Sequence, residues 1–297
     1  MSWLKEHILN WFQFLVLKVI KISKVPKHVA FIMDGNRRYA KKQNLTIAEG
    51  YSKGYDKMIE IIYLCRNLDI VELTIYAFSI ENFKRSKEEV DGLVNLARQK
   101  FKDLLEDKKK WKDNGICIRV FGNLSLLPED ICKLIAEVMI VTRENNRIFI
   151  NFAIAYTSRD EITHAIKDII QGVKDSDILP EDINEDLITD CLYTYKSSNP
   201  DLLIRTSGET RLSDFLMSQV SNTCIYFTKV LWPAFNIWNF FSALFYYQRC
   251  YSSMQKNKIN LKPIIIIRNT RVSMYIDKLH NKRDMTIEKI YQSAIQS

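Results

Sequence analysis

From residue 28 onward, short unbroken apolar runs alternate with longer stretches whose apolar residues recur at helical spacing. The runs fall at 29–33, 72–78, 116–121, 148–155, 202–204 and 224–227 and are rich in Ile, Val, Phe and Tyr, which reads as buried strand. Between them, helices are predicted at about 50–67, 87–112, 128–144, 159–171, 181–193 and 212–220. Start signals support several of these: Ser86 precedes Glu88 and Glu89, and Ser158 stands three residues before Glu161, as in a capping box. Strands and helices alternating in this way imply an α/β fold, a single domain whose mainly parallel, six-stranded central sheet is flanked by helices.

The ends of the chain follow other patterns. Residues 8–22 are dominated by large apolar side chains interrupted by Gln13, Lys18 and Lys21. On a helical wheel Glu6, Asn10, Gln13 and Lys21 share one narrow stripe, which makes this an amphipathic helix. Its unbroken apolar run is far shorter than the ~20 residues that span a bilayer, and no small-residue cleavage site follows it. Two readings stay open: a helix lying on a membrane surface, or one packed on its own domain or on a partner. After about residue 251 the chain turns rich in Lys and Asn and includes an apolar run at 264–267 that fits no predicted element. The expected organisation is therefore an amphipathic, membrane-associating segment at 1–25, a catalytic domain at 26–250 and a basic tail at 251–297.

Composition narrows the chemistry. The net charge of +8 favours an anionic partner or simply a soluble surface. The lysines at 108–110 and in the last forty residues are not interleaved with aromatics, as a single-strand nucleic-acid groove requires, so no nucleic-acid partner is expected. The six cysteines are scattered without a Cys-x-x-Cys pair and the four histidines are far apart. Neither a zinc site nor a disulfide framework follows from them, and buried thiols in a reducing compartment are the simplest account. There is no P-loop, no dinucleotide glycine motif and no nucleophile elbow.

What remains is a set of loops after strands. Asp34-Gly35-Asn36-Arg37-Arg38 follows the first run, and Arg205-Thr206-Ser207-Gly208-Glu209-Thr210-Arg211-Leu212-Ser213 follows the fifth. Ligands of open α/β sheets bind where strands hand over to such loops. Guanidinium forks suit phosphate oxygens, Gly35 allows close backbone approach, and Asn36 offers an amide donor. Asp34 would repel phosphates unless a cation bridges them, and Mg²⁺ takes one or two carboxylates plus substrate phosphates. The plain alternatives are an Asx turn at Asp34 and an ion pair between Arg211 and Glu209. A third loop, Ser79-Ile80-Glu81-Asn82-Phe83-Lys84-Arg85, has the same character, with Ser79, Asn82 and Arg85 as its polar members.

These three segments, with Asn151-Phe152-Ala153-Ile154-Ala155-Tyr156 and Val230-Leu231-Trp232-Pro233, resemble the five motif regions of the cis-prenyltransferases. Within that family the eukaryotic catalytic subunits that make dehydrodolichyl diphosphate are the nearest in character. The resemblance implies an undecaprenyl diphosphate synthase-like fold and the condensation of farnesyl diphosphate with several isopentenyl diphosphate units, ending in dolichol synthesis and protein glycosylation. It implies Asp34 as the Mg²⁺ ligand, with Ser79 and Asn82 close by as catalytic residues. Gly35, Asn36, Arg37, Arg38 and Arg85 would bind the allylic diphosphate. Arg205, Arg211 and Ser213 would bind isopentenyl diphosphate. A peripheral location on the cytoplasmic face of the endoplasmic reticulum membrane is also implied.

Three positions depart from the family pattern. Ile47 and Tyr51 stand where an arginine and a histidine are usual, which raises the alternative of a catalytically weakened, structural or regulatory paralogue. Cys224 stands where single-subunit bacterial members carry a Mg²⁺-binding glutamate. No Arg-x-Gly occurs in the sequence. In the eukaryotic enzymes that motif comes from a Nogo-B-receptor-like subunit, so the resemblance implies a heteromer.

Overall fold

The structure, a computed structural model, describes residues 11–260 and 269–295. All six predicted strands form: β1 (His28–Ile32), β2 (Glu72–Ser79), β3 (Ile116–Phe121), β4 (Ile148–Tyr156), β5 (Leu202–Arg205) and β6 (Cys224–Phe227). They make one sheet in the order β3-β4-β2-β1-β5-β6. β1 pairs with β5, β3 with β4 and β5 with β6, each in parallel. Every residue of β1 and β5 is buried, as expected for parallel strands covered on both faces. The expected α/β architecture, a single domain around a six-stranded parallel sheet, is the one observed.

The helices are α1 (Trp11–Ile22), α2 (Asn36–Lys42), α3 (Ile47–Asn67), α4 (Lys87–Glu106), α5 (Lys108–Asn114), α6 (Glu129–Thr142), α7 (Ser158–Lys174), α8 (Glu185–Asp190), α9 (Ile237–Asn260) and α10 (Thr270–Ile295). Within the domain the chain forms two compact units. One holds the described residues through Ile75 with Asn199–Leu212 and Gln219–Leu261; the other holds Tyr76–Ser198, Ser213–Ser218 and α10.

Three sequence expectations need correction. The predicted helix at 87–112 is two helices, α4 and α5, divided at Asp107. The cap of α7 is Thr157 rather than Ser158: its hydroxyl accepts from the Asp160 N–H at 3.3 Å. Ser158 is thereby released to accept from the Met217 N–H at 2.7 Å, while its own N–H donates to the Asp214 carbonyl at 2.8 Å. These bonds help explain the third difference. Residues 212–220 are a series of turns and not a helix, with Ser213, Asp214 and Leu216 at φ of 52°, 59° and 50°. Left-handed conformations are costly for such residues. Here they deliver Phe215 and Leu216 into the interior, where the Phe215 ring stacks on Tyr76 at 4.4 Å. Tertiary burial overrides helical periodicity in this segment.

The chain ends also gain definition. In α1, Leu17 and Ile20 are buried, whereas Trp11, Phe12, Phe14, Leu15, Val19 and Ile22 are exposed. The Phe12 ring meets Trp238 of α9 at 5.6 Å. Glu6 and Asn10, half of the expected polar stripe, lie outside the described residues, as does the apolar run at 264–267. α10 arises from the basic stretch that offered no predicted element. It buries Tyr275, Ile276 and Leu279 against Ala165 and Ile169 of α7 and Leu187 of α8. Salt bridges then fix it: Arg271 to Asp182 at 2.9 Å, Lys278 to Asp177 at 2.6 Å and Arg283 to Asp168 at 2.8 Å. Truncating Leu279→Ala removes a buried side chain and leaves a cavity, so urea unfolding should register a loss of about 2–4 kcal/mol; a loss within the ~0.5 kcal/mol typical of surface substitutions would mean α10 is not seated there.

Candidate active site

Parallel pairing of β1 with β5 sets Ile32 opposite Arg205, so the loops beginning at Met33 and Thr206 leave the sheet side by side. The first turns at Gly35, whose φ of 110° belongs to the left-handed half of the map. A Cβ there would press on Leu231 and on the Ser207 side chain, both at about 3.1 Å or less. Only glycine lets the two loops and the 230–232 segment come this close. The Asp34 carbonyl accepts the Thr206 hydroxyl at 2.7 Å and the Trp232 N–H at 3.0 Å, which fixes the backbone under the carboxylate.

On that backbone the charged groups converge. Arg205, almost wholly buried, donates from Nη2 to Asp34 Oδ2 at 2.9 Å and from Nη1 to the Arg211 carbonyl. Arg38, on α2, lies 3.6 Å from Asp34 Oδ1 and 3.5 Å from Glu209 Oε1, and donates to Ser207 Oγ at 2.5 Å. Arg211 pairs with Glu209. Three guanidinium groups thus surround two carboxylates, leaving an excess of positive charge on a half-exposed surface. Burial alone would push the Asp34 carboxyl upward. The hydrogen bond and charge of Arg205, the Ser207 hydroxyl and the charge of Arg38 outweigh it, and the carboxyl is held below its ordinary value.

The other sequence candidates fall as follows. Arg37 is exposed on α2. The Asn36 amide turns inward, donating from Nδ2 to the Met33 carbonyl at 3.3 Å. Its Oδ1 is buried without a hydrogen-bond partner and lies where a side chain at Gly54 would be. In the second unit Ser79 and Asn82 cap one short 3₁₀ turn reciprocally: Ser79 Oγ accepts from the Glu81 N–H at 3.2 Å and Asn82 Oδ1 from the Ser79 N–H at 3.0 Å. Arg85 ends that turn and pairs with Glu89 at 2.6 Å. Ser213 sits in the second unit's irregular segment, where its carbonyl accepts the Tyr76 hydroxyl at 3.3 Å. It does not begin a helix, as the sequence had implied. Ile47 opens α3 on the exposed surface behind a Thr46–Glu49 capping box.

Sequence reasoning missed Ser207 and Thr206 as the hydroxyls that join the two loops. It treated Glu209 only as an alternative partner for Arg211, whereas Glu209 bridges Arg211 and Arg38. The signal for Ser207 was its place before Gly208, because both adopt φ near 80°, a conformation that brings main chain close to a site.

Residues 32–254 match the family described as "Putative undecaprenyl diphosphate synthase". The chain belongs to this prenyltransferase family. The prenyltransferase is 52% identical over 256 residues to the human "Dehydrodolichyl diphosphate synthase complex subunit DHDDS", a match covering 86% of this chain and 77% of that protein. It is 42% identical over 234 residues to the "Tritrans,polycis-undecaprenyl-diphosphate synthase (geranylgeranyl-diphosphate specific)" of Pyrococcus furiosus, covering 79% of this chain and 88% of that one. Among solved structures, lavandulyl diphosphate synthase from Lavandula x intermedia, crystallised with dimethylallyl diphosphate, superposes with a TM-score of 0.71 at 35% identity, over 75% of this chain and 95% of that one. The chain is accordingly an enzyme of the polycis-prenyl diphosphate synthase kind.

Replacing Arg205 by Met should raise the Asp34 pKa, because burial then acts without its strongest counterweight; carboxyl ¹³C NMR titration reads this directly. In the wild type, the stability contributed by this ionised carboxylate is present above its unfolded value of ~3.9 and is lost as pH falls through the folded value. The variant should show less of that contribution at neutral pH and a correspondingly shallower loss of stability in acid.

Proposed function

We propose that this chain is the catalytic subunit of a heteromeric cis-prenyltransferase. It condenses farnesyl diphosphate with several isopentenyl diphosphate units to a long-chain, dehydrodolichyl-type polyprenyl diphosphate that feeds dolichol synthesis and protein glycosylation. The observation that carries this reading is the Asp34 carboxylate kept ionised between Arg205 and Arg38 in a cluster otherwise dominated by cations. A carboxylate in such a place suits a divalent ion shared with substrate phosphates. Among the described residues no three His, Cys, Asp or Glu side chains converge as a metal cage. The donor set therefore fits an ion that takes most of its ligands from diphosphate oxygens, as Mg²⁺ does. When bound, the ion would neutralise charge building on the departing diphosphate.

The chain's own residues would divide the remaining work. Arg38, with Gly35, Asn36, Arg37 and Arg85, would bind the allylic diphosphate, and Ser79 and Asn82 would assist Asp34. Arg205, Arg211 and Ser213 would bind the diphosphate of isopentenyl diphosphate. As the allylic C–O bond breaks, the isopentenyl double bond attacks the cationic carbon and a proton leaves the adjacent carbon, giving one new C–C bond and one new double bond. No covalent nucleophile is needed; preorganised positive charge does most of the work. Of the five residues suggested for an apolar tunnel, Phe101 is buried in the core, whereas Phe78, Leu93 and Leu96 are half-buried and Ala77 is exposed, so these four would offer the apolar surface for the growing chain.

Membrane and partner readings rest on separate observations. The exposed aromatic face of α1 supports membrane association by residues 1–25, ahead of a catalytic domain at 26–250 and the basic carboxyl-terminal region at 251–297. No helix among the described residues is long and apolar enough to cross a membrane, and a peripheral position on the cytoplasmic face of the endoplasmic reticulum is proposed. The lack of Arg-x-Gly in the sequence supports a Nogo-B-receptor-like subunit that supplies it. Both the human relative and the mouse relative are named as subunits of a synthase complex. A catalytically weakened paralogue, the alternative raised by Ile47 and Tyr51, is not favoured by this similarity.

Co-expression with such a partner, labelled isopentenyl diphosphate, farnesyl diphosphate and Mg²⁺ should yield polyprenyl products that chelation abolishes. A folded complex giving no product would reinstate the scaffold. Asp34→Ala should lower turnover by at least about 10²-fold, the loss typical when one electrostatic stabiliser is removed, while circular dichroism stays unchanged. In the same assay Arg211→Ala should raise KM chiefly for isopentenyl diphosphate and Arg85→Ala chiefly for the allylic substrate; identical defects would contradict the two-pocket assignment.

A further inference from the structure

Two of the six cysteines face each other across an element boundary. β6 and α9 pack together in the first unit, and the Tyr226 and Tyr246 rings meet at 5.4 Å. Cys224 precedes Tyr226 by two residues and so shares its face of the strand. Cys250 follows Tyr246 by four residues and so shares its face of the helix. Two strand residues and four helix residues both advance about 6 to 7 Å. Phe240, early in α9, meets Phe31 near the end of β1 at 6.0 Å, whereas the later Gln248 donates to the carbonyl of Ile20, ahead of β1. α9 thus runs opposite to β1 and its parallel partners, and the tyrosine contact sets the cysteines opposite one another. Cys250 is the neighbour that, after burial, raises the Cys224 thiol most. Cys224 is buried, Cys250 is half-buried, and both are free thiols.

We propose that Cys224 and Cys250 form a reversible dithiol–disulfide site that ties the edge strand β6 to α9. The co-reactant is a small-molecule disulfide such as oxidised glutathione. The more accessible sulfur, Cys250, attacks as thiolate; an S–S bond forms to one glutathione half while the other departs as thiolate. Cys224 then displaces the second glutathione thiolate, closing the intramolecular S–S bond. Two electrons pass from the protein thiols to the reagent, and the two protons finish on two glutathione thiols. Burial, followed by the charge and hydrogen bond of Cys250, pushes the Cys224 thiol up, which suits it to the resolving role rather than to first attack.

The pair is linked to the candidate active site through main chain. Just beyond β6, the Thr228 N–H donates to the Arg205 carbonyl at 3.0 Å and the Thr228 carbonyl accepts from the Gly208 N–H at 2.8 Å. The Val230 carbonyl accepts from the Ser207 N–H at 2.7 Å. A bond that restrains β6 therefore acts on the strand from which Arg205 and Ser207 are suspended.

The test is peptide mapping under non-reducing conditions of the full chain, with its partner where one is needed for solubility, after exposure to oxidised glutathione. The expected result is one cross-linked peptide joining 224 and 250, reversed by dithiothreitol, with a Tm raised by about 5–10 °C, the size expected for closing a loop of this length. Cys250→Ser should abolish both effects, whereas Cys132→Ser, which alters the other half-buried thiol, should preserve them. A stable glutathione adduct on Cys250 without closure, or a cross-link to any other cysteine, would overturn the proposal.

Discussion

The contact on which the site depends is the one between the Asp34 carboxylate and the Arg205 guanidinium. Burying a guanidinium is expensive unless its donors are met by an opposite charge or by carbonyl oxygens. Two of the Arg205 nitrogens are met in this way, Nη2 by the Asp34 carboxylate and Nη1 by the Arg211 carbonyl. The same contact keeps Asp34 charged in spite of its burial. Each group therefore makes the other's position tolerable, and both are placed by a backbone register and not by loop flexibility. Because Ile32 and Arg205 are partners in adjacent parallel strands, the acid and the base emerge at one end of the sheet.

Around that contact the structure concentrates hydrogen bonds that fix loops rather than strands. Thr206 and Trp232 grip the Asp34 carbonyl, Ser207 receives Arg38, and residues 205–208 hang from the extension of β6. The result is a rigid shell of oriented dipoles and cations, the kind of environment in which a departing diphosphate is stabilised without reorganisation at the moment of reaction. Glu209 tempers the cluster by bridging Arg38 and Arg211, which holds two flexible side chains near the ion pair.

The second unit solves a different problem, how to cover its helices without a long regular element between β5 and β6. It uses irregular turns at 213–217 with left-handed residues, held by the Ser158 hydroxyl and by the stacking of Phe215 on Tyr76. Its other surface is closed by α10. The apolar side of that helix, Tyr275, Ile276 and Leu279, is modest; the helix also packs along α6, and salt bridges to acids on and around α7 and α8 add to its attachment.

Most of the architecture could be read from the order of residues alone. Buried parallel strands announce themselves as unbroken Ile, Val and Phe runs, and the loops after β1 and β5 carry acid, arginine and glycine in plain view. Asp34, Arg205 and Arg211 were legible as candidates because loops of the same character follow several strands, although each loop taken alone had a plain structural alternative. The sequence could not say that Ser207 would join Arg38, that Asn36 would turn inward, or that 212–220 would abandon helical form. Those outcomes depend on partners distant in the chain, namely Val230, Gly54 and Ser158, whose positions exist only once the sheet has assembled. Local periodicity thus determined the strands and the composition of the site, and long-range burial decided which donor meets which acceptor, because a buried polar group must find its partner wherever the fold has put one.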